Sequence, residues 1–153
     1  WIRDAPAIGF FQQYGNFTGN VDRWHYYYLY LPCTAVIDFG SVDTALALPE
    51  ERRHEGCQIY ALHFMTPVTR NYTIDRWMHI RNTAVGDETV AEKMDAMFKI
   101  AFEEDKAILE AIQVEEEKPK SRPPVRLAID KGSNVYRKRI DRLIKSELLQ
   151  AAE

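Results

Sequence analysis

The sequence predicts an α+β chain, an antiparallel sheet in its first half followed by helices in its second. Three observations predict it. An aromatic run alternates across two faces near residue 24, apolar residues recur at three- and four-residue steps from Val90 to Gln113, and a proline- and charge-rich stretch divides that helix from a last one.

Trp24 to Leu31 (WHYYYLYL) reads as a strand, with Trp24, Tyr26, Tyr28 and Tyr30 on one face and His25, Tyr27, Leu29 and Leu31 on the other. Pro32 ends or kinks it. A second strand runs from Ala35 to Phe39. Gly40 to Gly56, with Pro49, Glu50, Glu51, Arg52 and Arg53, reads as a long exposed loop. Strand three covers Cys57 to Met65, with Ile59, Ala61, His63 and Met65 facing one way. Thr66-Pro67 breaks the run, and Tyr72 to Arg81 is strand four. Consecutive strands of this kind form a meander. Asp87 is placed to N-cap the long helix. Glu115 to Arg126 (EEEKPKSRPPVR) reads as a solvated linker. The last helix starts near Asp130 or Ser133, with Val135, Arg139/Ile140, Leu143 and Leu148 as a weaker apolar stripe. The expected organisation is therefore 1–86 mainly β, 87–113 helix, 114–129 linker and 130–153 terminal helix. No internal repeat is visible.

At 153 residues and 46% hydrophobic content the chain is long and apolar enough for one domain with a core. A net charge of -3 gives no broad basic field for a nucleic-acid backbone. The basic residues near the end (Arg137, Lys138, Arg139, Arg142, Lys145) alternate with Asp141 and Glu147, as on a solvated helix face. No apolar run approaches the length of a membrane span. Cys33 and Cys57 have no metal-motif neighbours, and two reduced thiols suit a cytoplasmic protein. The chain opens on Trp1 without an initiator Met, as expected for a piece of something longer.

The residue out of pattern is Asp105. At about 100° per residue, Met94, Phe98, Phe102, Leu109 and Ile112 fall within about 40° of Phe98, and Asp105 falls about 20° from it. A carboxylate in the middle of a buried apolar face needs a partner, because burying it bare costs several kcal/mol. Either it pairs with an Arg or a Tyr hydroxyl, or it serves a metal ion or catalysis, or the buried face of the helix is misjudged, and the pattern leaves all of these open. His63 lies on a strand face otherwise made of Ile59, Ala61 and Met65. It is either a core histidine with one hydrogen bond or a polar group reaching into a ligand cavity between sheet and helix. His79 alternates with Trp77 and is expected on the opposite face. His25 and His54 read as surface residues. None of the four histidines has a partner at metal-motif spacing, and no Gly-rich phosphate loop or nucleophile elbow is present.

Taken in order, Trp1 to Pro6 (WIRDAP), Gly19-Asn20-Val21-Asp22-Arg23-Trp24, Met65-Thr66-Pro67 with Thr73, and Ala101 to Gln113 (AFEEDKAILEAIQ) resemble the C-terminal catalytic domain of Rieske non-haem iron oxygenases. The ending resembles that family's terminal helix through Asp130, Arg137 to Arg139 and Glu147. The nearest branch is that of vanillate O-demethylase and related aromatic O-demethylases and ring hydroxylases. The resemblance implies a helix-grip fold of the START/Bet v 1 type, a curved antiparallel sheet with a long C-terminal helix, incomplete here at the N-terminus. It implies that Asp105 is the carboxylate of a two-histidine-one-carboxylate mononuclear Fe(II) site, and it favours the metal among those readings. By the same resemblance His63 matches a substrate-contacting histidine of a relative, Met97 and Ala101 border the substrate, and Tyr28 or Tyr30 help to orient it.

Implied for the full-length protein are electrons from NAD(P)H through a reductase and a [2Fe–2S] Rieske cluster, and hydroxylation or O-demethylation of an aromatic acid. A homotrimer, no nucleic-acid partner and no membrane partner are also implied. The sequence departs from the family in lacking the CxH and CxxH cluster pairs and the two iron-binding histidines. It is expected to supply one iron ligand of three and to be inactive alone. The alternative is a helix-grip module that binds an apolar ligand without redox chemistry. A structural subunit of a hetero-oligomer is a third reading.

Overall fold

Five antiparallel strands form one sheet in the order β1-β2-β3-β4-β5, the meander expected from consecutive strands. They are β1 (Ile2–Ala5), β2 (Val21–Tyr30), β3 (Thr34–Asp43), β4 (Cys57–Thr69) and β5 (Tyr72–Arg81), with a short helix α1 (Gly9–Tyr14) between the first two. Two longer helices follow, α2 (Glu88–Glu117) and α3 (Lys131–Gln150). These are the elements of an α+β fold of the helix-grip kind. This computed structural model describes residues 1–119, 125 and 127–151. The chain divides into two compact units, Trp1–Val85 with Lys131–Glu153, and Gly86–Asp130.

Pairing of β2 with β3 runs without interruption from Val21 opposite Asp43 to Tyr30 opposite Thr34. The sheet is covered at one end. On one face Trp24, Val42 and Leu48 are buried, with Trp1 and Tyr26 packed on them. On the other, Phe10 and Phe11 are buried, and Phe11 meets Phe39 edge to face at 5.8 Å. At the opposite end Tyr27, Leu29, Tyr30, Phe64 and Tyr72 are exposed. There the Tyr136 hydroxyl of α3 donates to the Pro32 carbonyl.

The strands are longer than the pattern indicates. β3 continues past Phe39 because Gly40 lies opposite Trp24, where a Cβ would meet the indole at 2.2 Å and the Cys57 carbonyl at 2.5 Å. Only glycine lets the indole lie flat there, and Ser41 and Val42 beyond it are buried. The expected loop Gly40–Gly56 thus begins as strand and then folds into two 3₁₀ turns, Thr44–Leu46 and Glu50–Glu55. The second turn is tied down by Arg53, whose Nε and guanidinium nitrogen donate to Asp38 Oδ2 at 3.1 and 2.8 Å. Likewise Thr66-Pro67 does not end β4. Pro67 pairs with Thr73 beside a register shift near the hairpin end, a place where a missing N–H is tolerated. β1 and α1 have no counterpart among the elements read from the sequence.

In the second unit, the Asp87 side chain accepts from Val90 N–H at 3.1 Å and caps α2 as expected. Val90 and Met94 are buried, and Phe98 and Phe102 are half-buried and stacked at 6.1 Å. The stripe then changes character, since Leu109 and Ile112 are exposed. The helix also runs on through Glu115–Glu117, which were expected in the linker. Glutamate is a good helix former, and side-chain pairs Gln113–Glu117 (3.1 Å) and Glu115–Lys118 (2.5 Å) bind the last turn. Much of the remaining expected linker, 120–124 and 126, lies outside the described residues.

Candidate functional site

The first two segments carrying the family resemblance are bonded to each other. Trp1 stacks on Trp24 at 5.4 Å with the planes 16° apart, and the Arg3 guanidinium sits 4.4 Å from the Trp1 ring. Arg3 also donates to the buried Asp22 carboxylate, which accepts from Asp4 N–H (2.9 Å) and the Thr44 hydroxyl (3.0 Å) as well. Burial alone would push Asp22 up, but these donors outweigh it and hold its carboxyl below the ordinary range. Asp4, at φ 52°, accepts from the Asn20 amide at 3.0 Å. WIRDAP and GNVDRW therefore form a brace between β1 and β2, which explains them without catalysis.

A second polar group is buried under the same face. Asp38, 1% exposed, accepts from Trp24 Nε1 (2.8 Å), Gln58 Nε2 (2.7 Å) and Arg53. Arg53 lies over the Tyr26 ring at 4.9 Å, and Tyr26 donates to Glu50. Burial and that glutamate push the Tyr26 hydroxyl up to about 12, so it keeps its proton at neutral pH. This too is structural. Buried Cys57 has its thiol pushed up by burial, which suits neither a nucleophile nor a metal ligand.

Chemistry is better placed on the other face. There β4 and β5 set Ala61 opposite His79, His63 opposite Trp77 and Met65 opposite Asp75. His63 Nδ1 lies 2.7 Å from Asp75 Oδ2, and Trp77 and His79 rings contact at 5.1 Å. His79 was expected on the opposite face; the register puts it on that of His63, because Trp77 and His79 are two residues apart on one strand. His25 is exposed, as expected. Tyr28 and Tyr30 are not brought to His63. Tyr28 pairs with Val36 and Val36 with Leu62, so the tyrosines share a face with Leu62 and Phe64, away from His63.

On α2, Asp105 is exposed, contrary to the expectation of a covered carboxylate. The apolar stripe is covered only through Phe102, so Asp105 begins its open half and carries no burial cost. Its cationic neighbours are engaged elsewhere, Lys99 with Asp95 (2.7 Å) and Lys106 with Glu103 (3.9 Å), and no side chain pairs with Asp105 among the described residues. Ala101, one turn earlier, is exposed, and Met97 is half-buried. Among the described residues no group of three His, Cys, Asp or Glu could hold a metal ion. The described residues offer Asp105 as an accessible carboxylate and do not by themselves make up a metal site.

Residues 1–146 match the family model of the vanillate O-demethylase oxygenase C-terminal domain. The chain belongs to that family. It is 36% identical over 148 residues to a provisionally named toluene-4-sulfonate monooxygenase system iron-sulfur subunit, TsaM2, of Comamonas testosteroni, and 35% identical over 148 residues to the TsaM1 subunit of the same system and organism. Each alignment covers 96% of this chain and 43% of the relative, so the chain spans less than half the length of either. No solved structure gives a significant match.

Asp75 is the residue that sequence reasoning missed. Its signal was present, since an alternating strand places Asp75, Trp77 and His79 on one face, but the pairing register with His63 cannot be read from one strand alone.

Proposed function

We propose that the chain is the C-terminal part of the catalytic subunit of a Rieske-type aromatic oxygenase. Such an enzyme uses mononuclear Fe(II) and O2, with electrons from NAD(P)H through a reductase and a [2Fe–2S] cluster, to hydroxylate or O-demethylate an aromatic acid. The carrying observation is the family match over residues 1–146, which takes in the EDK segment that contains Asp105. In this reading Asp105 is the carboxylate donor to the iron, and the histidine donors come from outside these 153 residues. An unpaired, accessible carboxylate between engaged lysines supports that role better than a structural ion pair would. His63 holds the substrate, while Met97 and Ala101, on the helix that carries Asp105, border it. Homotrimeric assembly and a cytoplasmic location belong to the same proposal.

The test is substitution in the assembled oxygenase component. Asp105→Ala and Asp105→Asn are expected to abolish turnover and leave the absorption spectrum of the cluster intact. Turnover at the wild-type rate in either variant removes the assignment.

A further inference from the structure

The face of the sheet that carries Trp24 is covered at one end only. Beyond that cover Tyr28, Val36, Leu62 and Met78 stand in one row across β2, β3, β4 and β5. Tyr30 and Phe64 lie in the next row towards the open end, and Ile80 lies in the row before. Tyr28, Tyr30, Phe64, Met78 and Ile80 are between 38% and 59% exposed. Arg76, beside Phe64, is the only charge in the row of Tyr28 and the row of Tyr30. Single exposed apolar residues are ordinary, but a contiguous patch marks a surface that another surface covers. With one charge it gives a charged partner no handle, so what covers it is apolar too.

We infer that this face is the docking surface for a segment that precedes Trp1 in the full-length subunit and presents an apolar face of its own. The matched family model is of a C-terminal domain, and each relative is more than twice as long as the aligned stretch. The inference therefore rests on the reading of this chain as the C-terminal part of a longer subunit. Trp1 lies on the same face, stacked on Trp24, so residues joined to it start beside the patch. Its indole Nε1 is buried with no hydrogen-bond partner among the described residues, and an acceptor on the joined segment satisfies it. Tethering decides against a second copy. A joined segment acts at an effective concentration of about 1 mM, about a thousandfold above a micromolar subunit that offers equal contacts.

In the full-length subunit the photo-cross-linker benzoylphenylalanine is placed at Met78 or at Ile80, and the captured peptides are identified by mass spectrometry. Capture within one subunit, of peptides that precede Trp1, is the expected result. Capture of another copy, of peptides from within these 153 residues, or of none overturns the inference. Met78→Asp gives a second reading without a cross-linker. Beneath a docked segment its carboxylate is cut off from water, so the thermal midpoint is expected to fall by about 5 °C or more, while Met78→Leu keeps it. An unchanged midpoint in Met78→Asp means an open face and overturns the inference. If that variant fails to fold, capture from Ile80 decides. The cluster spectrum and mononuclear iron content of the same wild-type subunit test the proposed function separately. A subunit that captures its own preceding segment yet holds neither cluster nor iron keeps this inference and loses the oxygenase chemistry; one that holds both and captures nothing loses only this inference.

Discussion

Gly40 faces the Trp24 indole across β2 and β3 with no space for a methyl group, and the Cys57 carbonyl closes the other side. Gly40→Ala must displace either the indole or the backbone, so it is expected to lower stability by about 1–3 kcal/mol in chemical unfolding. Beneath it, Asp38 gathers Trp24, Gln58 and Arg53. Asp38→Ala strands a largely buried guanidinium together with two buried donors, and a loss of about 3 kcal/mol is expected, with Arg53→Met milder. Neither feature was legible in the sequence, where Gly40 reads as a loop residue and Arg53 as a solvated charge. What fixes them is packing between residues far apart in the chain. The position of Asp105 around its helix was legible from spacing alone; its exposure was not, because spacing says which residues share a face and nothing about where the cover ends.

At the scale of elements, β2 and β5 were the most legible, since aromatic and β-branched residues alternating over ten positions admit few other conformations. The segment Gly40–Gly56 was misread because its charged residues are held by partners supplied elsewhere in the chain, Arg53 by Asp38 above all. Pro67 was misread because a proline is judged as a breaker unless its pairing partner is known. At the start of α2 the sequence sufficed, as an aspartate ahead of an apolar-periodic run caps the helix. Asp87→Ala is expected to cost about 1 kcal/mol and to speed amide exchange in the first turn, at Val90 first. Unchanged exchange there would mean that the cap is redundant.

For the molecule as a whole, acid sensitivity should concentrate at the brace between β1 and β2. The folded Asp22 carboxyl is held below its unfolded value, so its contribution is complete above roughly pH 4 and fades as pH falls through the lowered folded value. Asp22→Asn is therefore expected to lower the thermal midpoint at neutral pH and to flatten its decline in acid. The family match, with Asp105 accessible in its EDK segment, carries the functional account, in which the chain brings one donor to an iron completed elsewhere. On its own the 153-residue chain is accordingly expected not to retain stoichiometric iron through gel filtration. The most direct measurement is the iron content of the assembled oxygenase component, cluster iron counted separately by its spectrum, with and without Asp105→Ala. The account predicts that the variant loses its mononuclear iron and keeps its cluster; a variant that holds both at wild-type levels contradicts it.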